Sequence, residues 1–395
     1  MRHLKPLLIL LLSVPLQAAA PTRANVPTLP VLPGSAVTQA AAVTTLTPSL
    51  TAAPLSASLD KLQAQDLPQA APIPSASAAA SSPEDQVSPA SLHALYDVLD
   101  SKYRLPEGSP TAQVRARVRS QLLKAARDYK DPEHSLLELV AREADKALFN
   151  IQARLDRRDI DPTVKIRLSE EDPVTPASDR HAHIGVYPVA ADPFQWGHLL
   201  IALRAVGELG VDKIVFVLAG DDPRKPTMTP VMHRHPMGME VLDLFSPFFE
   251  YSPIAVGTTH DGETNIYRIL ALNPQQGIVA WYMVGDDHYR LVDKKGNPDT
   301  LPKLARNYKE PMGHSETLHA LKVAFIKREH PAEEVPTHLE VRFLDHVGFE
   351  ASSTQVRNGQ HTLMPHAAYE HAQNKGLYGV PPAPDSEQDP APDKK

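Results

Sequence analysis

Three amphipathic stripes open the patterned part of the chain. After Ser88-Pro89, an N-cap residue and a first-turn proline, Leu92, Leu95, Tyr96, Leu99 and Tyr103 recur at helical spacing. Val114, Val118, Leu122, Ala125 and Tyr129 form a second stripe, with Arg115, Arg117, Arg119, Lys124 and Arg127 mostly outside it. Asp131-Pro132 opens a third, carried by Leu136, Leu137, Val140, Ala144, Leu148, Ile151 and Leu155. From His183 the period changes. Apolar runs at Ile184–Val189, Lys213–Leu218, Phe248–Ser252, Gly277–Val284 and His338–Leu344 read as strands. Helical stretches at His198–Leu209, His233–Phe245, Thr264–Leu272 and Glu316–Arg328, and one starting at Ser353, read as their crossovers. Strands alternating with helices predict an α/β fold with a doubly wound parallel sheet of Rossmann-like type, preceded by a small helical region. The expected divisions are a helical region over 88–160 and a sheet domain over 181–380.

Composition changes the picture at both ends. The chain has 39 prolines in 395 residues, about twice the usual share. They concentrate before the helices: 43 of the 70 residues from Pro21 to Ala90 are Pro, Ala, Ser or Thr, and none is aromatic. Such a stretch buries too little apolar surface to offset its ordering entropy, so 21–87 is expected to be a disordered linker, and 381–395 a disordered polar tail. Residues 1–20 have a signal-peptide layout. Arg2, His3 and Lys5 precede the apolar run Leu7 to Leu12, and Ala18-Ala19-Ala20 offers small residues for cleavage. That run is too short for a membrane-spanning helix, so export to the periplasm or outside the cell is expected, with no stable membrane span.

A formal charge of −7 argues against a nucleic-acid partner. The absence of cysteine excludes thiol catalysis and Cys-based metal sites. The closest histidine pairs, His181-x-His183 and His233-x-His235, lack the glutamate of a His-Glu-x-x-His site, so no metal ligands are assigned among the side chains. The arginines of the second stripe read as a solvated face, since acidic residues interleave in the neighbouring helices.

The chemistry lies in loops expected at the carboxyl edge of the sheet. Asp192-Pro193-Phe194-Gln195-Trp196-Gly197-His198 joins the first strand to its helix, where helix-end amides favour an anion, Gly197 allows close approach and His198 adds a donor. Ala351-Ser352-Ser353-Thr354-Gln355-Val356-Arg357 opens the last helix with three hydroxyls and a guanidinium, and Asp222-Pro223-Arg224-Lys225-Pro226 lies between them. Together they describe a polyphosphate pocket, with phosphate expected between Gly197-His198 and Ser353–Arg357.

These motifs resemble the His-x-Gly-His nucleotidyltransferase superfamily, and within it bacterial nicotinate mononucleotide adenylyltransferase. The family's Gly-Gly-x-Phe-Asp-Pro-x-His-x-Gly-His loop is matched by Pro188 to His198, its Pro-His-Lys by Pro223-Arg224-Lys225, and its Ser-Tyr-Thr helix start by Glu263-Thr264-Asn265-Ile266-Tyr267. Its Gly-x-Asp is matched by Gly285-Asp286-Asp287, its Ile-Ser-Ser-Thr-x-Ile-Arg by Ala351–Arg357, and its ending by Leu363-Met364-Pro365 and Gly376-Leu377-Tyr378. Here Gln195 replaces the first motif histidine, Pro188 and Val189 the two glycines, and Ala191 the phenylalanine. The resemblance implies adenylyl transfer from ATP to a mononucleotide such as nicotinate mononucleotide, with Mg2+ bridging phosphate oxygens and pyrophosphate leaving. It implies catalytic roles for His198, Lys225 and Arg357, nucleotide contacts from Asp192, Gln195, Gly197, Ser352, Ser353 and Thr354, and acceptor contacts from Thr264 and Asp286. The partner is then a small nucleotide, and the sequence leaves the oligomeric state open. The alternative is an exported nucleotide- or phosphate-binding protein that kept the sheet and lost catalysis with the first loop.

Overall fold

The structure, a computed structural model, describes residues 89–129, 132–223, 225–289, 291–292, 295–296, 299–309, 318–327, 337–349 and 351–383. By its contacts the chain divides into two units, Met1–Ser77 and Ala78–Lys395, and every described residue belongs to the second. The expected signal segment 1–20 and linker 21–87 lie outside the described residues, as do Arg224 and 384–395 of the expected tail.

Among the described residues, six strands form one parallel sheet: β1 (Ala182–Val189), β2 (Lys213–Leu218), β3 (Phe249–Ser252), β4 (Ile278–Gly285), β5 (His319–Lys327) and β6 (Glu340–Asp345), in the order β3-β2-β1-β4-β5-β6. All six β2 residues are buried, as expected of a parallel strand covered on both faces. The two-residue strand period sorts these side chains into two cores. Tyr187, Ile214, Phe216, Met283 and Ile326 face one, and Ile184, Val186, Val215, Val217, Tyr282 and Phe325 face the other. On the first face lie α4 (Trp196–Ala205), which continues into a π-type turn over Val206–Gly210, α5 (Val231–Asp243) and α9 (His366–Lys375). On the second lie α6 (Gly262–Leu272) and α7 (Thr300–Lys309). The sheet is doubly wound, and its order reverses between β1 and β4. Ligand crevices form at such a reversal, outside the carboxyl ends of the strands.

One element differs from its sequence expectation. The stretch Glu316–Arg328 is expected to be a helix, but its described part, 318–327, contains strand β5. Leu318, Leu321 and Phe325 mimic a helical stripe. In fact Leu321, Val323 and Phe325 alternate onto one face while Ala324 and Ile326 meet the other core. The crossover from β4 is the separate helix α7, which the sequence reading passed over.

The helices α1 (Pro89–Lys102), α2 (Pro110–Asp128) and α3 (His134–Asp156) share the core of the first sheet face. Ser109 caps α2 through Ala112 N (3.2 Å), ahead of a first-turn Pro110. Arg127 is exposed as expected, but Arg115, Arg117 and Arg119 turn away from the expected solvated face. Arg119 Nη2 lies 2.5 Å and Arg115 Nε 3.4 Å from the buried carboxylate of Asp145. Arg117 Nε donates to Leu244 O at 2.8 Å, beyond α5. The interleaved acids are there, but Asp145 lies inside the helical region and draws the arginines in. Tyr129 completes the junction by donating its hydroxyl to Met364 O (2.8 Å), while Gln121 Oε1 accepts from Ala367 N (2.7 Å).

Candidate nucleotide site

The loop from β1 to α4 and the loop from β6 to the short helix α8 (Ser353–Arg357) touch directly. Gln195 is the N-cap of α4. Its Oε1 accepts from His198 N (3.3 Å), and its Nε2 donates to Ala351 O across the gap (3.1 Å). Ser353 Oγ donates to Pro193 O (2.8 Å), and Arg357 Nη1 donates to Asp192 O (2.5 Å) while lying 3.6 Å from the Asp192 carboxylate. That buried carboxylate also accepts from the Tyr378 hydroxyl (3.0 Å) and from Thr229 N (3.3 Å). Burial is the chief reason the Tyr378 hydroxyl is pushed far up and remains a donor. Ala191 carries the turn at φ +49°, a left-handed position unusual for a residue with a Cβ.

Two clefts open beside these loops. The first, about 380 Å³, lies at the sheet reversal. Its walls include Val189 and Ala190 of the β1 end, Ala219 and Gly220 beyond β2, Asp261, Asn265, Tyr282 and His288. The second, about 410 Å³, is lined by Ala190, Asp192, Lys225, Pro226, Thr227, Met228, Ser353 and Arg357. Ala190 and Lys225 border both.

Of the residues expected from sequence, Asp192, Lys225, Ser353 and Arg357 therefore share one cleft. The others stand behind it or beside it. The His198 ring packs edge-on against those of Tyr187 and Phe194, with centroids 6.3 and 6.0 Å away. Gln195, expected to donate to phosphate, is instead a staple, because its amide oxygen caps its own helix at His198 N while its amide nitrogen reaches Ala351 O in the other loop. Ser352 is consumed as a cap, its Oγ accepting from Gln355 N (3.2 Å) in a reciprocal capping box. Thr354 Oγ1 accepts from Arg357 Nη2 (3.1 Å). Thr264 lends its amide to the cap residue Asp261 (2.8 Å), and its neighbour Asn265 lines the first cleft. Asp286 is buried at the end of β4, while Val284 and His288 on either side reach the cleft. Among the described residues no cluster of three or more His, Asp or Glu side chains could hold a metal, and His235 is engaged by Tyr251 Oη (2.6 Å) and Ala219 O (3.1 Å).

Gly197 has a specific reason to lack a side chain. A Cβ there would stand 2.5 Å from Gln195 Oε1 and 3.3 Å from the Ala351 Cβ. Gly197→Ala should therefore displace the Gln195 amide and cost the cap and the inter-loop bond, about 1–2 kcal/mol together. Equilibrium urea unfolding measures this, and an unchanged midpoint would remove the staple from the account.

Sequence reasoning missed the ion cluster behind the first cleft. Lys303 of α7 pairs with Asp261 Oδ2 at 2.8 Å and with the buried Glu263. Burial pushes the Asp261 carboxyl upward, but hydrogen bonds from Lys303 and Thr264 outweigh it and hold the group well below the usual carboxylate range. A depressed carboxyl stabilises the fold above its unfolded value near ~3.9, and that contribution fades as pH falls toward the folded value. The stability gap between wild type and Lys303→Gln should thus shrink below about pH 4. Unfolding at pH 7 and pH 3 tests it, and a gap that widens in acid would contradict it. No spacing rule signals Lys303, since its partners lie on another helix.

No protein-family model matches the sequence. The chain is similar to a probable nicotinate-nucleotide adenylyltransferase of Thermus thermophilus, 28% identical over 204 residues that make up 49% of this chain and 98% of that protein. A second probable nicotinate-nucleotide adenylyltransferase, from Thermoanaerobacter sp., is 33% identical over 79 residues, 20% of this chain and 37% of its own length. Among solved structures, Plasmodium falciparum nicotinic acid mononucleotide adenylyltransferase complexed with NaAD aligns over 51% of this chain and 99% of its own, with 13% identity and a TM-score of 0.38. The chain resembles bacterial nicotinate mononucleotide adenylyltransferases in sequence, and its parallel sheet is doubly wound.

Proposed function

We propose that this chain transfers an adenylyl group from ATP to a mononucleotide of the nicotinate mononucleotide kind. The observation that carries the reading is the pair of clefts meeting at Ala190 and Lys225, one of them presenting Lys225, Ser353 and Arg357 together. A triphosphate suits the second cleft, and the acceptor suits the first. An oxygen of the acceptor's phosphate attacks the α-phosphorus, the bond from that phosphorus to the bridging oxygen breaks, and pyrophosphate leaves with the electron pair. No protein nucleophile takes part. Lys225 and Arg357 meet the charge gathering on the leaving group, and Asp192 with Tyr378 holds Arg357 in place. Magnesium, when bound, would supply positive charge to neutralise phosphate oxygens. The Asp192 and Asp261 carboxylates already have protein partners, so the metal would be held mainly through phosphates and water.

The relatives' names support the reaction class, and the acceptor is the finer part of the proposal. The test is pyrophosphate release from ATP by the full chain, against a panel holding nicotinate mononucleotide, nicotinamide mononucleotide and other phosphorylated acceptors. Release with none of them, in the presence of magnesium, sinks the reading. Export belongs to the same proposal, resting on Arg2 to Ala20. Cell fractionation should find a chain beginning near Ala19–Pro21 outside the cytoplasm, and a Met1-bearing cytosolic form would refute it.

A further inference from the structure

The carboxyl ends of parallel strands present carbonyl oxygens, which make a poor floor for phosphate. One side chain deals with several of them at once. Arg234, on α5, is wholly buried. Its Nη1 donates to Ala190 O (2.7 Å), its Nη2 to Ala219 O (3.0 Å) and Gly220 O (3.2 Å), and its Nε to Thr229 O (2.5 Å). All three nitrogens are used, on carbonyls from three segments. Ala190 borders both clefts, and Ala219 and Gly220 border the first. The carboxylate of exposed Asp221 lies 3.8 Å from Nη2, and the buried carboxylate of Asp192 also acts on the guanidinium. Its hydrogen bonds all go to carbonyl dipoles, and its field reaches anything seated above them.

We propose that Arg234 is a positioning residue for phosphate binding, turning the carbonyls at the ends of β1 and β2 away from the two clefts and placing a positive charge beneath their shared floor. The five donors of a guanidinium suit this task, whereas an ammonium has three. The kinetic consequence rests on the transfer reading, but the structural one does not.

The experiment compares wild type, Arg234→Lys, Arg234→Met and, as a control, Arg115→Met in the helical region away from the clefts. Three measurements are needed: hydrogen exchange resolved to 189–192 and 218–222, Kd for ATP and for inorganic pyrophosphate by calorimetry, and kcat and KM. The expected result for Arg234→Met is exchange at least tenfold faster in those two segments, ATP bound at least tenfold more weakly, and KM raised more than kcat falls. Arg234→Lys should fall between it and wild type, and it replaces Arg234→Met if that variant does not fold. Arg115→Met should lower the melting temperature without moving exchange or binding at the clefts. If both Arg234 variants lose stability with exchange spread evenly over the chain and Kd unchanged, Arg234 is a core residue and the proposal falls. A wild type that turns over no acceptor defeats the transfer reading alone, while the exchange measurement still decides Arg234.

Discussion

On the proposed transfer reading, Arg357→Ala is expected to lower kcat/KM for pyrophosphate release by about a hundred- to a thousandfold, the loss typical when one preorganised donor to developing charge is removed. The guanidinium does two things at once. It lines the cleft with Lys225 and Ser353, and it ties the last-helix loop to the first loop through Asp192 O at 2.5 Å. A charged hydrogen bond contributes ~1.5–3 kcal/mol, so even a single lost contact to the leaving group accounts for a tenfold to hundredfold effect. The rest follows from the loop losing its tie. Arg357→Lys keeps the charge without the fork and should recover part of the loss. Steady-state kinetics at saturating acceptor distinguish the cases. Activity of the alanine variant within threefold of wild type would remove Arg357 from the mechanism.

The largest effect on stability is expected from Asp145→Ala, about 3–5 kcal/mol, because it strands buried guanidinium groups. The Asp145 side chain is 2% exposed and is shared by Arg115 and Arg119. The other carboxylate within their reach, Asp100, is 52% exposed. Removing Asp100 should cost no more than ~1 kcal/mol, since water screens its pairs. Arg119 also lies over the Tyr96 ring, 4.5 Å from its centroid. Denaturant unfolding of both variants measures the contrast. Equal losses would mean that this network contributes little to docking the helices.

The same arginines show where sequence reading stops. Their position outside the apolar stripe of α2 was visible, but a stripe cannot say that Asp145, on another helix, would be buried against them. The sheet was legible because β1, β2 and β4 are covered on both faces and read as unbroken apolar runs. β5 was not, since Leu318, Leu321 and Phe325 happen to satisfy a helical period. In the site, Lys225, Ser353 and Arg357 were legible from motifs that sit where strands end. Gln195 was legible as a departure but not as a staple, because its partner Ala351 O is a backbone atom 156 positions away. Arg234 and Tyr282 carried no local mark. Their meaning depends on which strand ends lie side by side, and that is a property of the crossovers.

The docking of the first three helices also sets a timetable for synthesis. Three of their polar partners come from far along the chain: Tyr129 waits for Met364, Asp128 for His366 and Gln121 for Ala367, across 235, 238 and 246 positions. At ~5–20 residues per second, those partners leave the ribosome on the order of 10–50 s later. Through that interval α3 can already pack against α4, which is made soon after it, but the surface of α2 that meets α9 must wait or be shielded until α9 arrives.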